Sequence, residues 1–126
     1  MNVSKIVDEI ISVSDKSRYV LVVDDKGNPI HSRMVSKSFL LKENQATALA
    51  TDMHVLGQLL KLYDDTIGKN TFTHLIREKV HALIFYVENW IFLVSCDRNL
   101  DRHQIADISE NIESIIKKYV ITKSDS

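Results

Sequence analysis

The stretch Val80–Cys96, VHALIFYVENWIFLVSC, is nearly as apolar as a membrane span, in a chain whose composition is otherwise that of a globular protein. Glu88-Asn89 divides it near its middle. A transmembrane helix needs about 20 consecutive apolar residues, and a carboxylate in hydrocarbon is costly, so neither half spans a bilayer as a helix. Each half has the length of a strand. Glu88-Asn89 then reads as a tight hairpin turn, with Asn89 tolerating a positive φ. A strand that is apolar at successive positions is covered on both faces. The segment therefore predicts two strands, Val80–Val87 and Trp90–Cys96, buried in the middle of a sheet that lies between helices.

The rest of the chain supplies those layers. Val3, Ile6, Val7, Ile10 and Ile11 recur at helical spacing, which predicts a short amphipathic helix ending near Ser14-Asp15. RYVLVVD (Arg18–Asp24) is rich in β-branched residues and reads as a strand. DKGN (Asp25–Asn28) is a turn signal, and PIHSRMV (Pro29–Val35) alternates as the second arm of a hairpin. Pro29 cannot donate a ladder hydrogen bond, which favours a strand end or an edge. SKSFLLKEN follows as a loop containing three adjacent apolar residues, Phe39, Leu40 and Leu41.

The longest helix is expected over Glu43–Ile67, with Gly68 as its C-cap. One apolar stripe on it runs through Leu49, Met53, Leu56, Leu60, Tyr63 and Ile67. A second, Ala48, Val55, Leu59 and Leu62, lies about 100° round the cylinder. The first, through Leu56 and Leu60, should face the sheet. NTFTHLI (Asn70–Ile76) predicts a third strand before the charged turn Arg77-Glu78-Lys79. A final helix over Asp101–Tyr119 has Asp101 as N-cap and Lys117-Lys118 where the dipole favours cations. Ile105, Ile108, Ile112, Ile115 and Tyr119 share one face of it. Residues 1–120 then form one α/β domain of order α-β-β-α-β-β-β-α, and residues 121–126 a flexible tail.

With 126 residues the chain suits a single core. A net charge of −1 provides no field to hold nucleic acid or an anionic membrane. Cys96 is the only cysteine, so an internal disulfide and a Cys-rich zinc site are both excluded. A reducing, cytoplasmic setting is the simplest expectation. Asp8 and Glu9 interrupt the apolar N-terminal run and argue against a signal peptide.

Candidate catalytic groups are sparse. The histidines His31, His54, His74, His81 and His103 lack metal-ligand spacing. His74 and His81 can face each other across the turn between their strands, as an ordinary cross-strand pair. Cys96 reads as a small buried residue rather than a nucleophile. Asp24-Asp25 and Asp64-Asp65 fall at a turn and a helix end, where carboxylates are solvated rather than tuned for acid–base work. DKGN lacks the glycines and the following helix of a phosphate loop. Nothing singles out Arg33, Arg77, Arg98 or Arg102 as an arginine finger. These residues assign no catalytic role, no metal and no cofactor.

Two features ask for a partner. The second stripe of the long helix has no neighbour within one chain. The strand at Asn70–Ile76 would be a sheet edge with no Lys, Pro or internal acid to guard it. Both are covered if two copies associate, pairing edges and packing long helices side by side. The interface residues this predicts are Ala48, Val55, Leu59 and Leu62 on the helix and Thr71, Phe72, Thr73, His74 and Leu75 on the strand. Phe39, Leu40 and Leu41 are candidate contacts for a further partner.

The hairpin YVLVVDDKGNPIHS and the three-strand unit FTHLIREKVHALIFYVENWIFLVSCD resemble those of the roadblock domain family, which includes a dynein light chain and small GTPase regulators. The resemblance spans roughly Val3–Tyr119. It implies a five-stranded antiparallel sheet ordered second, first, fifth, fourth, third, with the long helix on one face and the terminal helices on the other. It further implies a non-enzymatic homodimeric module that binds or regulates a small Ras-like GTPase, or scaffolds a larger complex. The alternative is a small-ligand sensor of profilin or PAS outline. The loop over Val35–Lys42 looks longer than the family's.

Overall fold

The computed structural model describes residues 2–35 and 43–125. In chain order the elements are α1 (Val3–Ile11), β1 (Ser17–Val23), β2 (Pro29–Met34), α2 (Glu43–Lys61), α3 (Asp64–Ile67), β3 (Phe72–Ile76), β4 (Val80–Val87), β5 (Trp90–Asp97) and α4 (Arg102–Asp125). The strands form one antiparallel sheet ordered β2-β1-β5-β4-β3. This is the order the family resemblance implies. The apolar hairpin of β4 and β5 fills the middle, and β2 and β3 are the edges.

Alternation along the strands splits the core into two layers. Val20, Val22, Leu83, Phe85, Phe92, Val94 and Cys96 face α1 and α4, meeting Ile6, Val7 and Ile10 from one and Ile105, Ile108, Ile112 and Ile116 from the other. Tyr19, Leu21, Val23, Ala82, Ile84, Ile91 and Leu93 face α2, meeting Ala50 and Met53. The central strands are thus buried on both faces.

The helices begin where their side chains satisfy orphan amides. Asn2 Oδ1 accepts from Lys5 N at 3.1 Å. Asp101 and Gln104 cap α4 reciprocally: Gln104 N donates to Asp101 Oδ1 and Asp101 N to Gln104 Oε1, each at 2.9 Å. Lys118 Nζ reaches Glu9 Oε1 at 3.0 Å and ties α4 to α1.

Several expectations need correction. The helix predicted over Glu43–Ile67 is broken. Leu62 N and Tyr63 N bond back to Leu59 O and Leu60 O, three residues earlier, which tightens the last turn of α2 and ends it. Asp64 and Asp65 then occupy the first turn of α3, where carboxylates suit the positive end of a helix. Gly68, at φ +88°, closes α3 with its N–H on Asp64 O at 2.9 Å. As a result Tyr63 and Ile67, expected in the core, are 58% and 79% exposed.

The sheet-facing line of α2 is also rotated: Ala50, Met53 and Gly57 are buried, while Leu56 and Leu60 are only half-buried. In the β4–β5 turn the positive φ, 52°, falls on Glu88 rather than Asn89. The first helix stops at Ile11, β3 starts at Phe72, and α4 runs past Tyr119 to Asp125 with Ile116 rather than Ile115 fully buried. Phe39, Leu40 and Leu41 lie outside the described residues.

Candidate self-association surface

Small residues bring α2 down onto the sheet. At Gly57 an added Cβ would stand 3.0 Å from Cε1 of Tyr86 on β4, so only glycine fits this close approach without displacement. That contact sets the rotation of the helix. It turns the second stripe away from the sheet: Val55, Leu59 and Leu62 are 50%, 55% and 74% exposed, and Ala48 is exposed beside them. A run of large apolar side chains along one helix face is covered in most stable folds.

Among the described residues, part of the α2-facing side of the sheet is left open between the helix and β3. A hollow of about 840 Å³ lies between α2 and strands β3, β4 and β5. Leu49 and Met53 form one wall; Leu75, Ala82, Ile84 and Leu93 form its floor and far side. The hollow adjoins the β3 edge through Leu75 and Ile76 in its lining, while the Val55–Leu59–Leu62 stripe lies on the side of α2 turned away from the sheet.

No described strand lies beyond β3. Thr73 and Leu75 pair with Ile84 and Ala82 and share the α2-facing side. Phe72 and His74 pair with Phe85 and Leu83 and share the opposite side. The Phe72 and Phe85 rings meet at 5.0 Å between centroids. Thr71 precedes the strand and is exposed, but its carbonyl still accepts from Tyr86 N at 3.2 Å.

His74 and His81 make the contact the sequence allowed, and it continues further. His81 is buried, and its Nε2 lies 3.1 Å from Arg98 O and 3.2 Å from Leu100 O in the β5–α4 connection. Carbonyl oxygens only accept, so Nε2 carries the hydrogen and Nδ1 is left with a lone pair. His74 Nε2, 2.9 Å from that Nδ1, is then the donor. The remaining site of protonation on His74 is its Nδ1. Burial, and secondarily the neighbouring His81, holds His74 below the usual histidine pKa. Sequence spacing shows that the two rings can meet, but not that the pair terminates on backbone carbonyls.

The other candidates have structural surroundings. The Cys96 thiol is buried against the α1–α4 layer, and burial pushes its pKa up to about 11. It is therefore protonated and unreactive near neutrality. Asp24 accepts from Asn28 N and Lys26 N, each at 2.9 Å, and these bonds, the one from Asn28 foremost, hold its carboxyl below the usual range. Arg33 pairs with Asp8 of α1, and Arg18 with Asp97 across β1 and β5. Among the described residues no three of His, Cys, Asp and Glu gather as metal ligands, and no helix is long and apolar enough to cross a membrane.

No protein-family model and no curated protein matches the sequence. Solved structures match over nearly its whole length. MglB of Myxococcus xanthus superposes with a TM-score of 0.73 at 15% identity, covering 97% of this chain and 99% of its own. A Roadblock/LC7 domain from Streptomyces avermitilis gives 0.72 at 10% identity, covering 96% of this chain and 99% of its own. The fold is the roadblock fold. Its outline extends to profilins: LokiProfilin1, solved in complex with rabbit actin, gives 0.57 at 12% identity over 91% of both chains. Within the roadblock fold of this chain, the hollow and the β3 edge are continuous through Leu75 and Ile76.

Proposed function

We propose that this chain is a non-enzymatic interaction module that works as a homodimer and binds or regulates a small Ras-like GTPase, or scaffolds a larger complex. The observation that carries the dimer is the continuity of the apolar hollow with the open β3 edge, through Leu75 and Ile76, together with the exposed Val55–Leu59–Leu62 stripe on the helix that walls the hollow. A second copy covers the hollow and the edge together, its β3 extending the sheet and its α2 lying over the hollow; the exposed stripe is then the face left for the paired helix. A small ligand in the hollow would leave both the stripe and the edge in water. An interface of this kind buries at least about 1,000 Å².

The GTPase half of the reading rests on the resemblance of the two hairpin segments to a family containing GTPase regulators, together with the shared fold. The paired α2 helices would present the docking surface. The test is direct binding of purified Ras-like GTPases, loaded with GTP or GDP, to the native chain and to Leu59→Glu. Nucleotide-dependent binding to the native chain alone supports the reading. Failure of every GTPase to bind a demonstrated dimer leaves scaffolding and removes GTPase recognition.

A further inference from the structure

Main-chain hydrogen bonds define what the β3 edge can pair with. Thr71 O accepts from Tyr86 N at 3.2 Å, and Arg77 N donates to Val80 O at 3.0 Å. Both continue the β3–β4 register, in which Phe72 opposes Phe85 and Ile76 opposes His81. Hydrogen-bonding direction alternates along a strand, so residues 71, 73, 75 and 77 direct their N–H and C=O groups toward β4. Phe72, His74 and Ile76 direct theirs outward, to the open edge.

Two identical strands that pair antiparallel about a two-fold axis must set one residue opposite its own copy. The two kinds of pair in such a ladder differ in geometry, and the rotation cannot exchange one for the other. With His74 opposite itself, every outward group finds a partner: His74 exchanges bonds with His74 of the second copy, and Phe72 with its Ile76. Centring on Thr73 leaves the groups of Ile76 unpaired, and centring on Leu75 leaves those of Phe72. The unmet cost of these groups selects the His74 register.

We propose that two copies of this chain pair β3 to β3 about an axis at His74, joining their His74–His81 pairs into one row of imidazoles that makes self-association proton-sensitive. This rests on the self-association reading above. Directly opposed side chains on one sheet face have Cβ atoms about 5 Å apart, where like charges repel. His81 already accepts from His74 and donates to the Arg98 and Leu100 carbonyls, so an added proton goes to His74 Nδ1.

The charged groups nearby do not offset it. His81 is the titratable neighbour that acts electrostatically on His74. Asp97 is engaged by Arg18, and Asp101 caps α4. Arg77, Glu78 and Lys79 in the β3–β4 turn are exposed, and Arg98 is exposed beside its carbonyl. Below the titration of His74, two cations would face each other across the axis. Separate chains keep each cation hydrated. The dimer therefore binds fewer protons than two monomers, and it weakens as pH falls through the lowered pKa of His74, below the usual histidine value, while remaining unaffected above it.

Sedimentation equilibrium of the native chain and of His74→Gln at about pH 7.5 and about pH 5, below the lowered pKa of His74, tests this. The glutamine amide can still donate to His81 but cannot charge. The native dissociation constant should rise at least about tenfold on acidification, and that of His74→Gln should stay nearly constant. Nitrogen-resolved imidazole NMR of the native chain should find both rings in the Nε2–H form at the higher pH. A native chain that is monomeric at the higher pH removes the self-association reading itself. A dimer indifferent to pH, an equal loss in His74→Gln, or a His81 ring in the Nδ1–H form overturns the His74 axis and leaves the dimer standing.

Discussion

Gly57 of α2 rests against the Tyr86 ring: a Cβ there would sit 3.0 Å from Cε1, so the ring would have to give by a few tenths of an ångström. This contact decides which face of α2 meets the sheet and which face is presented outward. Two substitutions at Gly57 should separate helix propensity from packing. Alanine gains up to about 1 kcal/mol of intrinsic preference, which offsets the strain of a tight Cβ, so Gly57→Ala should stay within about 1 kcal/mol of native stability. Gly57→Leu cannot be accommodated without moving α2 and should cost about 1–3 kcal/mol. Urea titrations of both variants read the difference.

Met53 and Leu59 report on opposite faces of the same helix. Met53 is buried against the sheet layer, so Met53→Ala should lower stability by about 2–5 kcal/mol. An exposed leucine contributes little to the fold of a single chain. Leu59→Glu should therefore leave far-UV circular dichroism unchanged. Comparable loss of secondary structure in both variants would contradict the assignment of faces.

Cys96 supplies a pH dependence of known sign. Its folded pKa, about 11, lies above the ordinary value of 9.0 because burial disfavours the thiolate. The neutral thiol's contribution is fully present below the unfolded value and is lost as pH rises from there toward the folded one. Stability should fall by up to about 1.4 kcal/mol per pH unit above pH 9 from this group. Cys96→Ala should remove that part of the slope. Rapid modification of the native thiol by an alkylating reagent at pH 8, faster than global unfolding, would contradict the burial.

The legible parts of the fold were those with a strong apolar signal. Val80–Val87 and Trp90–Cys96 are apolar at successive positions, and both are buried on two faces. The second stripe of α2 was visible because Val55, Leu59 and Leu62 are large. What the sheet-facing side of α2 uses was not visible, because Ala50 and Gly57 carry almost no hydrophobic signal. Their seven-residue spacing around Met53 marks a close helix approach and is the clue that was available. The break after Lys61 was masked by Tyr63 and Ile67, which continue the apolar period across it. Asp64-Asp65, which suits a helix start better than an interior, is the local signal for a new turn. The open hollow depends on how far α2 extends across the sheet, which no local pattern encodes.

Sedimentation equilibrium of the native chain and of Leu59→Glu, near pH 7.5 and over roughly micromolar to tens of micromolar concentration, tests the proposed assembly most directly. A carboxylate in an interface that excludes water costs several kcal/mol, and dissociation relieves it by hydrating the charge. The native chain should sediment as a dimer and Leu59→Glu as a folded monomer. A native monomer throughout that range, or a Leu59→Glu chain that remains fully dimeric, would contradict the account.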